Sequence, residues 1–113
     1  MARYQKKRRP LGVDAYRDGG AVPVNPIDEY INDLPIPPKE FDRSKSRLLM
    51  VEIPTHFQRI KLEDMSLAQQ WRLHTRELFE YYFEHNYLVT DLVVEKRNDQ
   101  ISTCYYILSS ADS

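Results

Sequence analysis

One long amphipathic segment, residues 67–85, constrains the fold of this chain more than any other feature. Ser66 followed by Gln69 is a capping-box pattern, which predicts that a helix begins there. At about 100° per residue, one side of that helix collects apolar and aromatic side chains, namely Leu67, Ala68, Trp71, Leu78, Phe79, Tyr82 and Phe83. The other side carries Arg76, Glu77, Glu80 and Glu84. A helix with one apolar stripe has to bury that stripe against another element.

Strand patterns on either side of the helix supply such an element. Residues 47–53 (RLLMVEI) and 87–95 (YLVTDLVVE) are rich in residues that favour strands. Residues 101–108 (ISTCYYIL) are the expected hairpin partner of the second strand, across a polar turn. Asn86 tolerates the left-handed conformation that closes helices. We therefore predict an α+β fold, with the long helix packed on a small, mainly antiparallel sheet and the helix–hairpin contact supplying most of the core.

The remaining sequence fits a single α+β domain, residues 11–113. Residues 1–10 are basic and almost free of apolar side chains, which indicates a flexible tail. Residues 35–46 are rich in proline and then charged, which indicates a linker or surface loop within the domain. Residues 27–34 carry apolar side chains at helical spacing, so a short helix is expected there, ended by the prolines that follow.

The composition excludes several classes of protein. With 16 Lys and Arg against 17 Asp and Glu, the net charge of -1 argues against a surface built for nucleic acid. Nucleic-acid contact through the basic tail is a weaker, third interpretation. No apolar run approaches the roughly 20 residues of a membrane-spanning helix. The single cysteine, Cys104, excludes an internal disulfide. We expect a cytoplasmic protein without membrane contact.

Neither a cofactor site nor a metal site is expected in this chain. Its 3 glycines lack the spacing of a loop that cradles phosphates. Of the three histidines, His74 and His85 lie about 16 Å apart along the helix, too far to share a metal ion. Nothing near Cys104 in the sequence would lower its pKa, so no catalytic residue is assigned.

Three motifs follow one another between Val51 and Val93. The first is Val51-Glu52-Ile53-Pro54, the second runs from Ala68 through Trp71-Arg72 and Thr75-Arg76-Glu77 to Phe79, and the third is Tyr87 with Val89-Thr90-Asp91. In this order they resemble the C-terminal part of a bacterial family of GNAT-superfamily acetyltransferases. The resemblance departs at Asn86, where the family pattern has glycine.

The resemblance implies transfer of an acetyl group from acetyl-CoA to an amine. Members of the family are considerably longer, and their acyl-CoA loop lies in an N-terminal portion that this chain lacks. We therefore expect a C-terminal segment that is inactive alone, either from a truncated reading frame or from a split enzyme. Its expected partner is a separately encoded or missing N-terminal acyl-CoA-binding portion.

Five residues are candidates for facing a substrate or a partner: Arg72, His74, Arg76, Glu77 and Tyr87. Four of them lie on one or two turns of the helix, and Tyr87 opens the third motif. The simpler interpretation is a solvated charged face with local ion pairs such as Arg76 with Glu80, each contributing little to stability.

The tyrosines support an alternative function from another class. Tyr81-Tyr82 and Tyr105-Tyr106 are adjacent pairs, so each pair should place one ring inside and the other at an edge. An amphipathic ring at an edge is common in interfaces. The alternative is a non-enzymatic interaction module that docks a tyrosine-rich face on a partner protein.

Overall fold

The computed structural model describes residues 12–96 and 102–111, and these residues contain three helices and six strands. The expected tail, residues 1–10, and the expected hairpin turn, residues 97–100, lie outside the described residues. In chain order the elements are α1 (Val13–Asp18), β1 (Val22–Pro23), β2 (Tyr30–Ile31), β3 (Leu34–Pro35), β4 (Leu48–Ile53), α2 (Phe57–Glu63), α3 (Met65–Glu84), β5 (Tyr87–Lys96) and β6 (Ser102–Ser110).

Four of the strands form one sheet in the order β1–β4–β6–β5. β6 is antiparallel to both β4 and β5, whereas the short β1 is parallel to β4. β4 and β5 therefore run in the same direction, with β6 between them. The predicted hairpin, the α+β class and the mainly antiparallel sheet are all confirmed.

The long helix α3 begins at Met65 rather than at Leu67. Its N-cap is Asp64, whose Oδ1 accepts a hydrogen bond from the backbone N–H of Leu67 at 3.0 Å. The capping box predicted at Ser66 is therefore wrong. A carboxylate is the stronger cap here because its charge also opposes the positive end of the helix dipole. At the other end Asn86 has a φ of 68°, which confirms the predicted left-handed closure.

The helix packs on one face of the sheet, mainly across β4 and β6. Leu78 and Tyr82 are fully buried in a cluster with the strand residues Leu49, Val51 and Leu108. On β5 the buried member of this cluster is Tyr87, the first residue of the strand. The hairpin thus supplies only part of the core around α3, because β4, which lies outside the hairpin, contributes Leu49 and Val51.

Two further clusters complete the described core. On the opposite sheet face, α1 contributes Val13 to a cluster with Ala21, Met50, Val93, Tyr105 and Ile107. Tyr16 of α1 donates a hydrogen bond to Asp91 of β5 at 2.5 Å, and burial together with this bond raises the pKa of Tyr16 to about 12. The third cluster joins α2 and α3 to the β2–β3 pair through Leu34, Ile60, Leu67, Ala68 and Trp71.

The short helix predicted at residues 27–34 is wrong. β2 and β3 form an antiparallel pair around Asn32 and Asp33, whose φ angles are 52° and 65°. Two successive left-handed residues make the tight turn whose twist matches a hairpin, and Asn and Asp tolerate that conformation. Local turn chemistry therefore overrides the helical spacing of the apolar residues.

Candidate functional site

An open pocket of about 400 Å³ lies where β4 ends beside α3. Its walls come from the end of β4, the start of α2, one side of α3 and the middle of β6. The lining residues are Ile53, Pro54, Phe57, Trp71, Arg72, Thr75, Arg76 and Tyr106. Apart from Arg72, Thr75 and Arg76, the lining side chains are apolar or aromatic. An apolar pocket with a few polar groups is the usual form of a small-molecule site.

Trp71 fixes the helical side of this pocket. Its side chain is 1% exposed, and its indole N–H donates to the carbonyl of Pro35 at 2.9 Å. Residues four positions apart lie on the same side of a helix, whereas adjacent residues are turned about 100° from each other. With the indole buried, Thr75 therefore lies beside it and Arg72 leaves the helix toward solvent.

Arg72 and Arg76 are both exposed and lie one helical turn apart, about 6 Å along the axis. The guanidinium of Arg72 lies over the ring of Phe57, 5.5 Å from its centre. The ion pairs within the described part of the chain lie elsewhere, so the pair expected between Arg76 and Glu80 is not formed. The pocket therefore carries two positive charges that form no ion pair within the described part of the chain.

Beyond the pocket, α3 leaves the β5 side of the same sheet face uncovered. Val89 lies opposite Leu108 and Leu92 opposite Tyr106, and directly paired residues share a face. Phe83, Val89, Leu92 and Val94 are between 42% and 61% exposed. Phe79 stacks on Phe83 and meets Tyr106 edge to face, which joins this surface to the pocket. We name Phe79, Phe83, Val89, Leu92, Val94 and Tyr106 the open sheet face.

His74 lies in the interior, hydrogen-bonded to Asn25. The N–H of Glu52 donates to Asn25 Oδ1 at 2.7 Å, and Asn25 Nδ2 donates to the Glu52 carbonyl at 2.9 Å. This orientation of the amide aims Nδ2 at His74 Nε2, 3.1 Å away, which therefore accepts. Burial lowers the pKa of His74, partly opposed by the charge of Glu77, so the neutral ring is favoured.

Tyr87 also lies inside, where it helps to hold a loop. Its hydroxyl donates to the carbonyl of Ser46 at 2.6 Å, and the hydroxyl of Tyr82 accepts from the N–H of Ser44 at 3.0 Å. Residues 36–46 contain neither helix nor strand. These two tyrosines therefore fasten an irregular segment across the end of the sheet.

The tyrosine pairs divide between interior and surface as predicted. Tyr82 and Tyr105 are buried, and Tyr81 and Tyr106 are half-buried. The two half-buried rings do not share a surface, since Tyr81 contacts Phe41 on one flank of α3 while Tyr106 lines the pocket. The exposed apolar surface consists mainly of phenylalanine and aliphatic side chains rather than of tyrosines.

The structure separates the five predicted site residues. Arg72 and Arg76 come together at the pocket, while Glu77 is exposed outside its lining. His74 and Tyr87 are 8% and 5% exposed and do not face solvent. The pocket residues that sequence reasoning missed, Phe57, Thr75 and Tyr106 among them, come from separate elements. The sequence carries a signal for the open sheet face instead, since β5 has apolar residues on both faces, more than one buried face requires.

Other chemistry is limited in the described part of the chain. In residues 12–96 and 102–111, no three His, Cys, Asp or Glu side chains are arranged to hold a metal ion. Burial raises the pKa of the Cys104 thiol, which disfavours its reactive thiolate form. None of the described helices combines the length and the apolar character needed to cross a membrane.

Comparison with known proteins gave no match of any kind. No family model, no curated protein and no solved structure matches this chain. The functional interpretation therefore rests on the pocket, the open sheet face and the sequence motifs.

Proposed function

We propose that this chain is the C-terminal segment of a GNAT-type acetyltransferase that works only when docked to an acyl-CoA-binding portion. The resemblance of residues 51–93 supports the acetyl-transfer part of this proposal. The open sheet face is the observation that carries the docking part. A contiguous exposed apolar surface is typical of an interface, because water would otherwise have to hydrate it.

The edge of the sheet supports docking as well. β5 spans ten residues, Tyr87–Lys96, and stands at the edge of the four-stranded sheet. Edge strands offer unpaired backbone groups to another polypeptide. A partner that covers the open sheet face can therefore also pair with part of β5, away from the bulge between Val89 and Asp91 and the N–H of Leu92, which donates to the Asp91 carboxylate.

In this proposal the chain binds and positions, and the partner portion binds the cofactor. Gly19 and Gly20 follow the carboxyl end of α1, so they present no helix N-terminus to a pyrophosphate. Arg72 and Arg76 lie next to the open sheet face, with Glu77 on the adjoining side of the helix. These three side chains are proposed to face the substrate or the partner portion at the junction.

The test combines calorimetry with co-expression. Acetyl-CoA is titrated into the purified chain and into its complex with the polypeptide encoded by the preceding reading frame. We expect no heat of binding for the chain alone and saturable binding for the complex. Saturable binding by the chain alone would contradict the division of roles, and so would a preceding frame whose product does not co-purify.

A matched pair of variants shows whether the open sheet face makes the contact. Leu92→Asp puts a charge in the middle of that face and should abolish co-purification, because burying an unpaired carboxylate is costly. Leu62→Asp is the control, since Leu62 lies on α2 and is 86% exposed. Equal effects of the two substitutions would count against docking through the open sheet face.

A non-enzymatic interaction module is the second candidate. The open sheet face also favours this candidate. In this case the open sheet face, rather than the expected tyrosine-rich face, is the surface that docks on the partner. The two candidates differ in one measurement. If the complex is broken by Leu92→Asp but does not bind acetyl-CoA, the interaction module is the better description.

A further inference from the structure

We infer that the pocket beside α3 binds a small organic carboxylate, whose charged group meets Arg72 and Arg76 and whose apolar body packs against the aromatic rings. The ligand goes beyond the proposed function, although it meets Arg72 and Arg76, which that function places at the junction with the partner portion. It rests on the charges, the walls and the size of the pocket.

The charges point to an anion. Arg72 and Arg76 extend from adjacent turns into one pocket, and neither forms an ion pair with a carboxylate in the described part of the chain. Guanidinium groups bind carboxylates with paired, parallel hydrogen bonds. The spacing of one turn, about 6 Å, lets both groups reach the same ligand. Thr75, between them, adds a hydroxyl that can donate to the same anion.

The apolar lining of the pocket indicates that the ligand has an apolar part next to its charged group. Phe57 and Tyr106 supply half-buried rings from two elements, Ile53 and Pro54 add further carbon surface, and the buried Trp71 lies behind them. A fully hydrated anion such as inorganic phosphate would leave this surface exposed to water. A carboxylate attached to a flat ring covers it and gains the hydrophobic contribution, about 25 cal/mol per Å² of apolar surface buried.

The size and rigidity of the pocket fit a small molecule. Its volume of about 400 Å³ is near the lower end of the roughly 300–1,000 Å³ that ligand pockets span. Trp71 is held by its hydrogen bond to Pro35, so the central wall is already in place before a ligand arrives. The ordering needed on binding is then mainly that of the exposed Arg72 and Arg76 side chains.

Binding is measured by calorimetry on the full chain with 2-naphthoate as the probe. We expect saturable binding that Arg72→Gln and Arg76→Gln each weaken at least tenfold. Arg47→Gln is the matched control, because Arg47 is exposed and precedes the opposite end of β4, about 20 Å from the pocket. Arg47→Gln should leave the affinity within twofold, and an equal loss in all three variants would overturn the site.

Two further ligands test the chemistry. The neutral 2-naphthamide should bind at least tenfold more weakly than 2-naphthoate, and equal affinities would refute recognition of a carboxylate. A pentapeptide ending in a free phenylalanine carboxylate distinguishes a peptide terminus from a small molecule. We expect it to bind at least tenfold more weakly than 2-naphthoate, and tighter binding of the peptide would overturn the assignment to a small molecule.

Discussion

Asn25 and His74 show how one buried amide and one imidazole can fix a junction in this fold. Asn25 is 2% exposed, and its side-chain amide forms hydrogen bonds with both the N–H and the carbonyl of Glu52. The amide thus pairs with these two backbone groups as a neighbouring strand would. His74 accepts the remaining amide proton and so links this junction to α3. Buried polar groups are stabilising only when all of them are paired. The buried hydrogen bond from Asn25 therefore requires the neutral form of His74.

We expect stability to decline below about pH 6.5 because of His74. Burial lowers its pKa in the folded state, so the unfolded chain, with an ordinary pKa of about 6.5, takes up the proton first as the pH falls. The stabilisation is complete above that pH and declines below it until the folded ring also titrates. Urea unfolding between pH 7 and pH 5 measures the decline.

Two histidine variants serve as comparisons for this measurement. His74→Gln should remove most of the decline, because no proton is taken up at that position in either state. His56 is exposed, and His56→Gln should retain the decline. Identical pH profiles for the wild-type protein and His74→Gln would refute the assignment.

At the scale of elements, the ends of α3 set the path of the chain. Asp64 caps the start of the helix, and Asn86 turns the chain directly into β5. The carbonyl of Asn86 also accepts a hydrogen bond from the N–H of Ala111, just beyond β6. One left-handed residue thus joins the helix to the edge strand and ties it to the end of β6.

We expect Asn86→Ala to destabilise the fold by about 1 kcal/mol, because alanine pays the steric cost of the left-handed conformation. Asn86→Gly should cost less, since glycine adopts a positive φ freely. Midpoints of urea unfolding measure both variants. Gln70→Ala, at an exposed position inside α3, is the control and should change stability by less than about 0.5 kcal/mol. A glycine variant less stable than the alanine variant would contradict this account of the turn.

At the scale of the whole molecule, the sheet is covered unequally. α1 packs against one face, and α3 covers the β4 and β6 part of the other. The β5 part of that second face remains apolar and exposed, next to a pocket with two arginines. A partner and a ligand can therefore approach the same side of the molecule.

Two leucine variants test whether the β4 and β6 part of this sheet face is covered while the β5 part is exposed. Leu78 is fully buried on the side of α3 that faces the sheet, and Leu78→Ala should cost about 2–5 kcal/mol through lost burial and a cavity. Leu92 is 49% exposed, and Leu92→Thr should change the stability of the isolated chain by less than about 0.5 kcal/mol. Urea unfolding of the isolated chain measures both. A large loss from Leu92→Thr would mean that the open sheet face is already covered in the free protein.

Most of the helices and strands have local signals in the sequence. The period of α3, the strand-favouring residues of β5 and β6 and the closure at Asn86 depend on neighbours within a few residues, so the α+β class was predictable. The turn at Asn32-Asp33 is also encoded locally. The apolar residues around it have helical spacing, however, and that spacing predicts a helix instead of a turn.

Which side chains face solvent depends on contacts between segments that are distant in the sequence. The pocket needs Phe57, Arg72 and Tyr106 from three elements, and the burial of His74 depends on Asn25, forty-nine positions away. The open sheet face exists because β6 lies between β4 and β5, so that α3 covers only Tyr87 at the start of β5 and leaves Val89, Leu92 and Val94 exposed. Sequence periodicity shows that a residue is apolar or charged, but burial depends on which distant segments pack against it.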